Sequence, residues 1–283
     1  PTGSPPVRGK WPWRPWPVTS RLRSWFTTVR GSWPGGPVVS TLLILGGTAD
    51  ARALAACVRA RWPAMRVVTS LAGRTTAPNL PEGEVVTGGF GGAAGLADYI
   101  TVEGVDALID ATHPFAAEIS KSAVEAAISA CVPRLVLTRP PWVFVQNAAT
   151  QHVCSINAAK SALESDGKRI FLAIGRQEVN QFKDLQDRFF LLRFVDPPQS
   201  PPGFAQYEVL TGRPGSPEDE RSILQQFAID TLVAKNGGSA ASRTKVDVAL
   251  ELGIRVVLID PPAPPPPPHA VSIDGALAWL DGL

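Results

Sequence analysis

The chain has 283 residues, 45% of them hydrophobic, and its 27 Lys and Arg against 25 Asp and Glu leave a formal charge of +2. That length suits one large domain or two of ~100–150 residues, the apolar share excludes global disorder, and the balanced charge excludes a nucleic-acid binder recognised by charge. The scattered Cys57, Cys131 and Cys154 argue against a disulfide framework or zinc site and for a reduced, cytoplasmic setting, and no apolar run reaches the ~20 residues of a membrane span.

Residues 1–37 repeat Pro and Gly, hold most of the Trp and several Arg, and contain no acidic residue. Pro removes backbone donors and fixes φ, so no packed element is expected there. The segment reads as a weakly ordered extension or a mis-assigned start. An interaction arm for an acidic partner or a membrane surface is the alternative.

From Val38 to Leu45 the chain turns β-rich and apolar, as in strands buried on both faces of a parallel sheet. Gly46-Gly47-Thr48 breaks the run, and a helix follows over 49–61, ended by Trp62-Pro63. Strands are expected at 66–70, 85–86, 107–110 and 134–137, with helices over 96–102 and 116–130. Arg139-Pro140-Pro141-Trp142 closes this half. A second series places strands at 170–174, 189–195, 207–210, 231–235 and 255–259, with helices over 216–227 and 242–251. Pro264–Pro268 reads as a stiff polyproline spacer before a final helix over 273–283. Alternating strands and helices imply βαβ units. The expected fold is α/β: two Rossmann-like domains with mainly parallel sheets and an inter-domain cleft. The expected division is a cofactor-binding domain over 38–141, a linker over 142–169 and a second domain over 170–283.

Several strand ends carry residues suited to ligands. Gly46, Gly47 and Thr48 permit a tight turn that aims helix N–H groups at a phosphate, although many α/β proteins turn this way. After the second strand, where an acidic residue commonly holds the ribose of NADH, the chain has Ser70, Arg74 and Thr75. A guanidinium with hydroxyls suits the 2′-phosphate of NADPH; a solvated loop arginine is the plainer reading. Gly88-Gly89-Phe90-Gly91-Gly92 reads as a ligand-facing loop or a flexible turn. His113, in Asp110-Ala111-Thr112-His113-Pro114, either supplies a proton near neutral pH or orients the turn. Arg176, Arg193 and Lys235-Asn236 sit at strand ends of the second series and outline a positive cleft.

Taken in order, Ile44–Thr48, Ser70–Arg74, Gly88–Gly92, Asp110–Ala116, Arg139–Trp142 and Lys235-Asn236 resemble the precorrin-6A reductases of cobalamin biosynthesis. The likeness runs from about Thr41 to Pro262. It implies NADPH as hydride donor and reduction of one double bond of precorrin-6A, a macrocycle with many carboxylate arms, to give precorrin-6B. The metal-free ring is the expected form, and transfer to neighbouring pathway enzymes is an open possibility. The resemblance implies cofactor contacts at Gly46, Gly47, Thr48, Ser70, Arg74, Thr75, Gly89 and Gly91. Substrate contacts are expected at Phe90, Arg139, Arg176, Arg193 and Asn236. It leaves the proton donor open between His113, a lysine, for which Lys235 is the candidate, and water. Two departures stand out: Gly237 replaces a common Ser, and Gln146–Thr150 lacks the usual acidic-aromatic stretch. The rival readings are another NADPH-dependent reductase on the same scaffold and a non-catalytic NADPH sensor.

Overall fold

The computed structural model of the chain describes residues 39–73, 79–145, 149–164 and 167–283. The 1–37 extension, Arg74 and Thr75 lie outside the described residues.

The first series runs β1 (Thr41–Leu45), α1 (Ala49–Arg61), β2 (Arg66–Leu71), β3 (Glu84–Thr87), α2 (Gly92–Val102), β4 (Ala107–Asp110), α3 (Ala117–Ser129) and β5 (Arg134–Leu137). The second runs β6 (Thr150–Val153), α4 (Ile156–Glu164), β7 (Arg169–Ala173), α5 (Arg176–Val179), β8 (Phe189–Phe194), β9 (Gln206–Thr211), α6 (Pro217–Gln226), β10 (Thr231–Lys235), α7 (Ala240–Glu251) and β11 (Arg255–Ile259). The chain then closes with β12 (His269–Ala270) and α8 (Ile273–Asp281).

Two six-stranded sheets result, ordered β3-β2-β1-β4-β5-β12 and β9-β8-β7-β10-β11-β6. The strand pairs within both are parallel. Each follows the doubly wound order, with its direction of winding reversed at β1/β4 and at β7/β10.

The alternation of side chains along each central strand explains why helices cover both faces. Leu42 and Ile44 pack with α1 and α8, whereas Leu43 and Leu45 pack with α2 and α3. Ile170 and Leu172 face α4 and the α5 turn, while Phe171 faces α6 and α7. A strand sandwiched in this way is apolar throughout, which is why β1 is buried at every position.

The sixth strand of each sheet corrects the expected boundaries. The expected linker over 142–169 contains β6 and α4, and β6 pairs with β11 from Val256↔Thr150 to Ile259↔Val153. The last strand and helix leave the second series: β12 pairs with β5 (His269↔Val136), and α8 packs on the α1 face of the first sheet. The proline run is therefore a return path from β11 to the edge of the first sheet. Its Pro266 carbonyl accepts from Arg134 Nη2 at 2.7 Å, and its Pro268 carbonyl accepts from Val136 N at 3.1 Å.

Candidate active site

The β1–α1 turn is built around close backbone approach. Gly46 N donates to the Ser70 carbonyl at 2.9 Å. A Cβ at Gly46 would lie 2.7 Å from Thr69 Cγ2 and 3.3 Å from the Ser70 oxygen, so only glycine fits. Gly47 has φ +107 and open space around its missing Cβ. Thr48 caps α1: its Oγ1 accepts from Ala51 N at 3.1 Å and donates to the Ala111 carbonyl at 2.8 Å. The hydroxyl expected to meet cofactor is thus occupied in tying the turn to the end of β4. The helix start still presents unpaired first-turn N–H groups at the switch point of the sheet, the arrangement that receives phosphate.

The β3–α2 loop lies at the same sheet edge. Gly88 (φ +123) and Gly89 have no atom within 4 Å of a would-be Cβ, and Gly91 (φ +82) occupies the cap position of α2. These glycines leave backbone open to a ligand. Phe90 is half-buried, tilted against Tyr99 at 5.0 Å between centroids. Ser70 lies buried at the end of β2.

At the end of β4, buried Asp110 accepts from Thr112 N (3.1 Å) and Thr112 Oγ1 (2.7 Å), shaping the turn that carries His113. Sequence reading had no role for Asp110, although an Asp-x-Thr at a strand end signals such a turn. His113 Nδ1 accepts from Phe115 N at 3.3 Å, which leaves the ring proton on Nε2. A Cβ at Gly237 would come within 2.9 Å of that Nε2, so the imidazole takes the space that a serine side chain would need. Burial first, and the nearby Lys235 charge second, lower the His113 pKa to about 4. The ring stands in the recess between the sheets, where protein replaces much of its water although part of its surface stays open. A lowered pKa favours the neutral ring, in which Nε2–H is a hydrogen-bond donor, and so favours the orienting reading of His113 over the proton-supplying one.

The second sheet contributes its own switch point. Lys235 Nζ, at the end of β10, is 2.5 Å from Glu178 Oε1 and 5.0 Å from the centroid of the Phe115 ring. Glu178 sits three residues beyond Gly175, on α5 after β7. Nothing in its local sequence marks Glu178 out; its role comes from Lys235, brought to it by the fold. Phe115, from the first series, packs into the second sheet's core. These contacts bring the C-terminal ends of the central strands of both sheets to one cleft, with His113, Phe115, Lys235 and Glu178 together in it.

Other predicted residues sit around or behind that cleft. Arg139 ion-pairs with Asp50 in the first turn of α1, beside the glycine turn. Arg176 Nη2 donates to the Asp196 and Pro197 carbonyls at 2.7 and 2.8 Å, holding the β8–β9 loop. Two expectations are overturned. Arg193 points to the α6–α7 face, where Nη1 donates to both oxygens of the fully buried Glu220 at 2.8 and 2.9 Å. Period two along β8 puts it on the side of Leu191, away from the cleft. Asn236 is 1% exposed, and its amide is spent on protein: Oδ1 accepts from Trp142 N, while Nδ2 donates to the Trp142 carbonyl and to Asp260.

Lys245 adds a second buried cation beside Arg193 and Glu220. Desolvation, reinforced by Arg193, lowers its pKa from 10.5 to about 8. A base whose folded pKa is depressed binds its proton less well in the folded state, so its unfavourable contribution is full below about pH 8 and vanishes above 10.5. Lys245→Met is therefore expected to stabilise the protein at pH 7, by roughly 1–3 kcal/mol, since the charge left behind is one balanced ion pair. Urea unfolding at pH 7 and at pH 10 checks this: the gain should shrink at the higher pH. A loss of stability at pH 7 would overturn the assignment.

Among the described residues no cluster of His, Cys, Asp or Glu is arranged to hold a metal, and no helix is long and apolar enough to cross a membrane.

Comparison with known proteins agrees with this layout. The family described as "Precorrin-6x reductase CbiJ/CobK" matches residues 41–281. A precorrin-6A reductase of Rhodococcus erythropolis is 43% identical over 246 residues, covering 87% of this chain and 99% of the relative. One of Rhodobacter capsulatus is 39% identical over 243 residues, covering 86% and 96%. A solved structure, CobK precorrin-6A reductase, superposes with a TM-score of 0.79 at 38% identity, covering 85% of this chain and 96% of that one. The chain belongs to the precorrin-6x reductase CbiJ/CobK family.

Proposed function

We propose that this chain reduces one double bond of the precorrin-6A macrocycle with NADPH, giving precorrin-6B on the route to cobalamin. Family membership supports the reaction class and the substrate. The observation that carries the cofactor reading is the β1–α1 turn: Gly46 fits only without a Cβ, Gly47 is open above, and the α1 N-terminus adjoins. These residues fit a dinucleotide pyrophosphate. Arg74 and Thr75, outside the described residues, are the groups that prefer the 2′-phosphate.

Bound NADPH supplies a hydride. The chain's own residues do the rest. The glycine turns accept the cofactor backbone, and the cleft between the sheets aligns the macrocycle against it. Arg176 and Lys235 place positive charge where carboxylate arms and developing negative charge arrive. Lys235 supplies the proton that completes the addition, held in position by Glu178. Neutral His113 directs its Nε2–H across the cleft as an orienting donor.

The test is spectroscopic. Protein, NADPH and precorrin-6A are mixed, and NADPH absorbance is followed with the corrinoid spectrum. Coupled loss of NADPH and a shift of the corrinoid bands are expected. Binding of NADPH with neither change would favour a sensor; NADPH oxidation only with other acceptors would favour a different reductase.

A further inference from the structure

Asn236 is among the most enclosed polar side chains in the protein, and it lies directly after Lys235. Its amide grips the main chain of Trp142 on both sides: Trp142 N donates to Oδ1 at 2.7 Å, and Nδ2 donates to the Trp142 carbonyl at 2.9 Å. Nδ2 also reaches Asp260 Oδ1 at 3.0 Å. Asp260, beyond the end of β11, is held in turn by His152 Nδ1 at 3.1 Å.

Trp142 ends a short strap that begins at Arg139. At its near end, Arg139 is ion-paired with Asp50 in the first turn of α1. At its far end, the Trp142 side chain is buried with Phe171, Leu224 and Val246 in the core of the second sheet. Pro140 and Pro141 lie between, each with φ fixed by its ring. The chain beyond Lys235 packs against the same strap, because a Cβ at Gly238 would lie 2.6 Å from the Pro140 carbonyl oxygen and 2.9 Å from Arg139 Cβ. A continuous set of contacts therefore runs from the glycine turn through Asp50, Arg139, Trp142 and Asn236 to Lys235.

We propose that Asn236 is a positioning residue for the reduction: by holding both main-chain polar groups of Trp142, it fixes Lys235 in the cleft at a set distance from the ligand loops of the first sheet. This rests on the reductase reading above. Asn236 touches no ligand itself. Its amide carries an acceptor oxygen and an NH2 donor side by side on one planar group, the complement of a peptide N–H and C=O, a pairing that only the longer glutamine shares. Loss of the clamp leaves a buried N–H and C=O unpaired and lets the Lys235 segment shift.

The test compares wild type with Asn236→Ala and Asn236→Asp. The aspartate keeps an acceptor for Trp142 N but opposes the Trp142 carbonyl and Asp260 with a third acceptor. Turnover is measured well below each variant's unfolding midpoint, and NADPH affinity is titrated by fluorescence. Independently of turnover, the rate of Lys235 reductive methylation by formaldehyde and borohydride is read by peptide mass spectrometry. The expected result is a kcat lower by about tenfold to a hundredfold, as for a catalytic group displaced by about an ångström. NADPH affinity should stay within about twofold, because the glycine turns are untouched. The Lys235 methylation rate should change in both variants. Unchanged methylation with kcat restored at low temperature would mean a purely structural role and overturn the proposal. So would a raised substrate KM at unchanged kcat, which would mean direct substrate contact. If wild type shows no turnover, the reductase reading fails while the methylation arm still reports on the clamp. Should the alanine variant not fold, the aspartate variant carries the same readouts.

Discussion

Replacing Lys235 with methionine is expected to lower kcat for precorrin-6A reduction by about 10²-fold or more, the range for loss of a group that transfers a proton in the transition state. Methionine keeps most of the volume of the side chain, so the cleft wall is preserved. NADPH affinity is expected to stay nearly unchanged, because Lys235 stands at the β10 end, across the cleft from the β1–α1 turn. The effect separates Lys235 from His113. Partial desolvation and the Lys235 charge lower the His113 pKa to about 4, which disfavours an imidazolium donor at pH 7. His113→Gln is expected to be milder, since its longer amide can place an N–H where the imidazole Nε2–H stood. Stopped-flow hydride transfer with both variants checks the ranking. A Lys235→Met protein with near wild-type kcat would remove the lysine from the chemistry and leave water as the donor. Glu178→Gln reports on the same pair: the amide still meets Nζ but no longer offers the carboxylate charge 2.5 Å from it.

Arg193→Ala is expected to cost about 3 kcal/mol of stability, the lower end for breaking a buried ion pair, and to leave the substrate KM unchanged. The cost comes from Glu220, which has no exposed surface and loses the two bonds from Nη1. It keeps Gly215 N at 2.9 Å, and the Lys245 charge nearby relieves part of the loss. The guanidinium also lies over Phe171, 5.0 Å from the ring centroid, so alanine leaves a void beside the core as well. Guanidinium chloride unfolding, paired with steady-state kinetics on the folded variant, checks both halves. A raised KM with unaltered stability would return Arg193 to the substrate site, against the geometry.

The two overturned residues, Arg193 and Asn236, share a cause. Each stands where a chain-order reading finds a cation or amide at the end of a strand, a position that favours ligands in open α/β sheets. Which face a strand residue points to depends on register, and a one-residue step reverses it. Arg193 follows Leu192 on β8 and so turns toward α6 and α7. Asn236 follows Lys235 and so turns from the cleft into the protein. Glu178 escaped for the opposite reason. A lone glutamate in a short helix has no local mark, and it acquires meaning only when β10 brings a lysine to it from 57 positions along the chain.

The strands and most of the helices were readable from local pattern. Burial on both faces makes parallel strands apolar throughout, and Gly, Pro and Asn punctuate their ends. The β1–α1 turn was readable for a similar reason, because Gly46 meets β2 so closely that no other residue fits. The family resemblance rested on those same local motifs in order. Membership of each sheet's outermost strand was decided only by tertiary structure. β6 reads Thr-Gln-His-Val, polar and mostly half-exposed, and β12 has 2 residues, so neither carries the apolar signal of the other strands, and they are strands only because β11 and β5 supply the hydrogen-bonding edge. The cleft itself was also decided there: His113, Phe115, Lys235 and Glu178 come from separate strand ends, and nothing local in the chain encodes the distances between them. Local composition sets which backbone conformations are cheap; long-range packing sets which side chains meet.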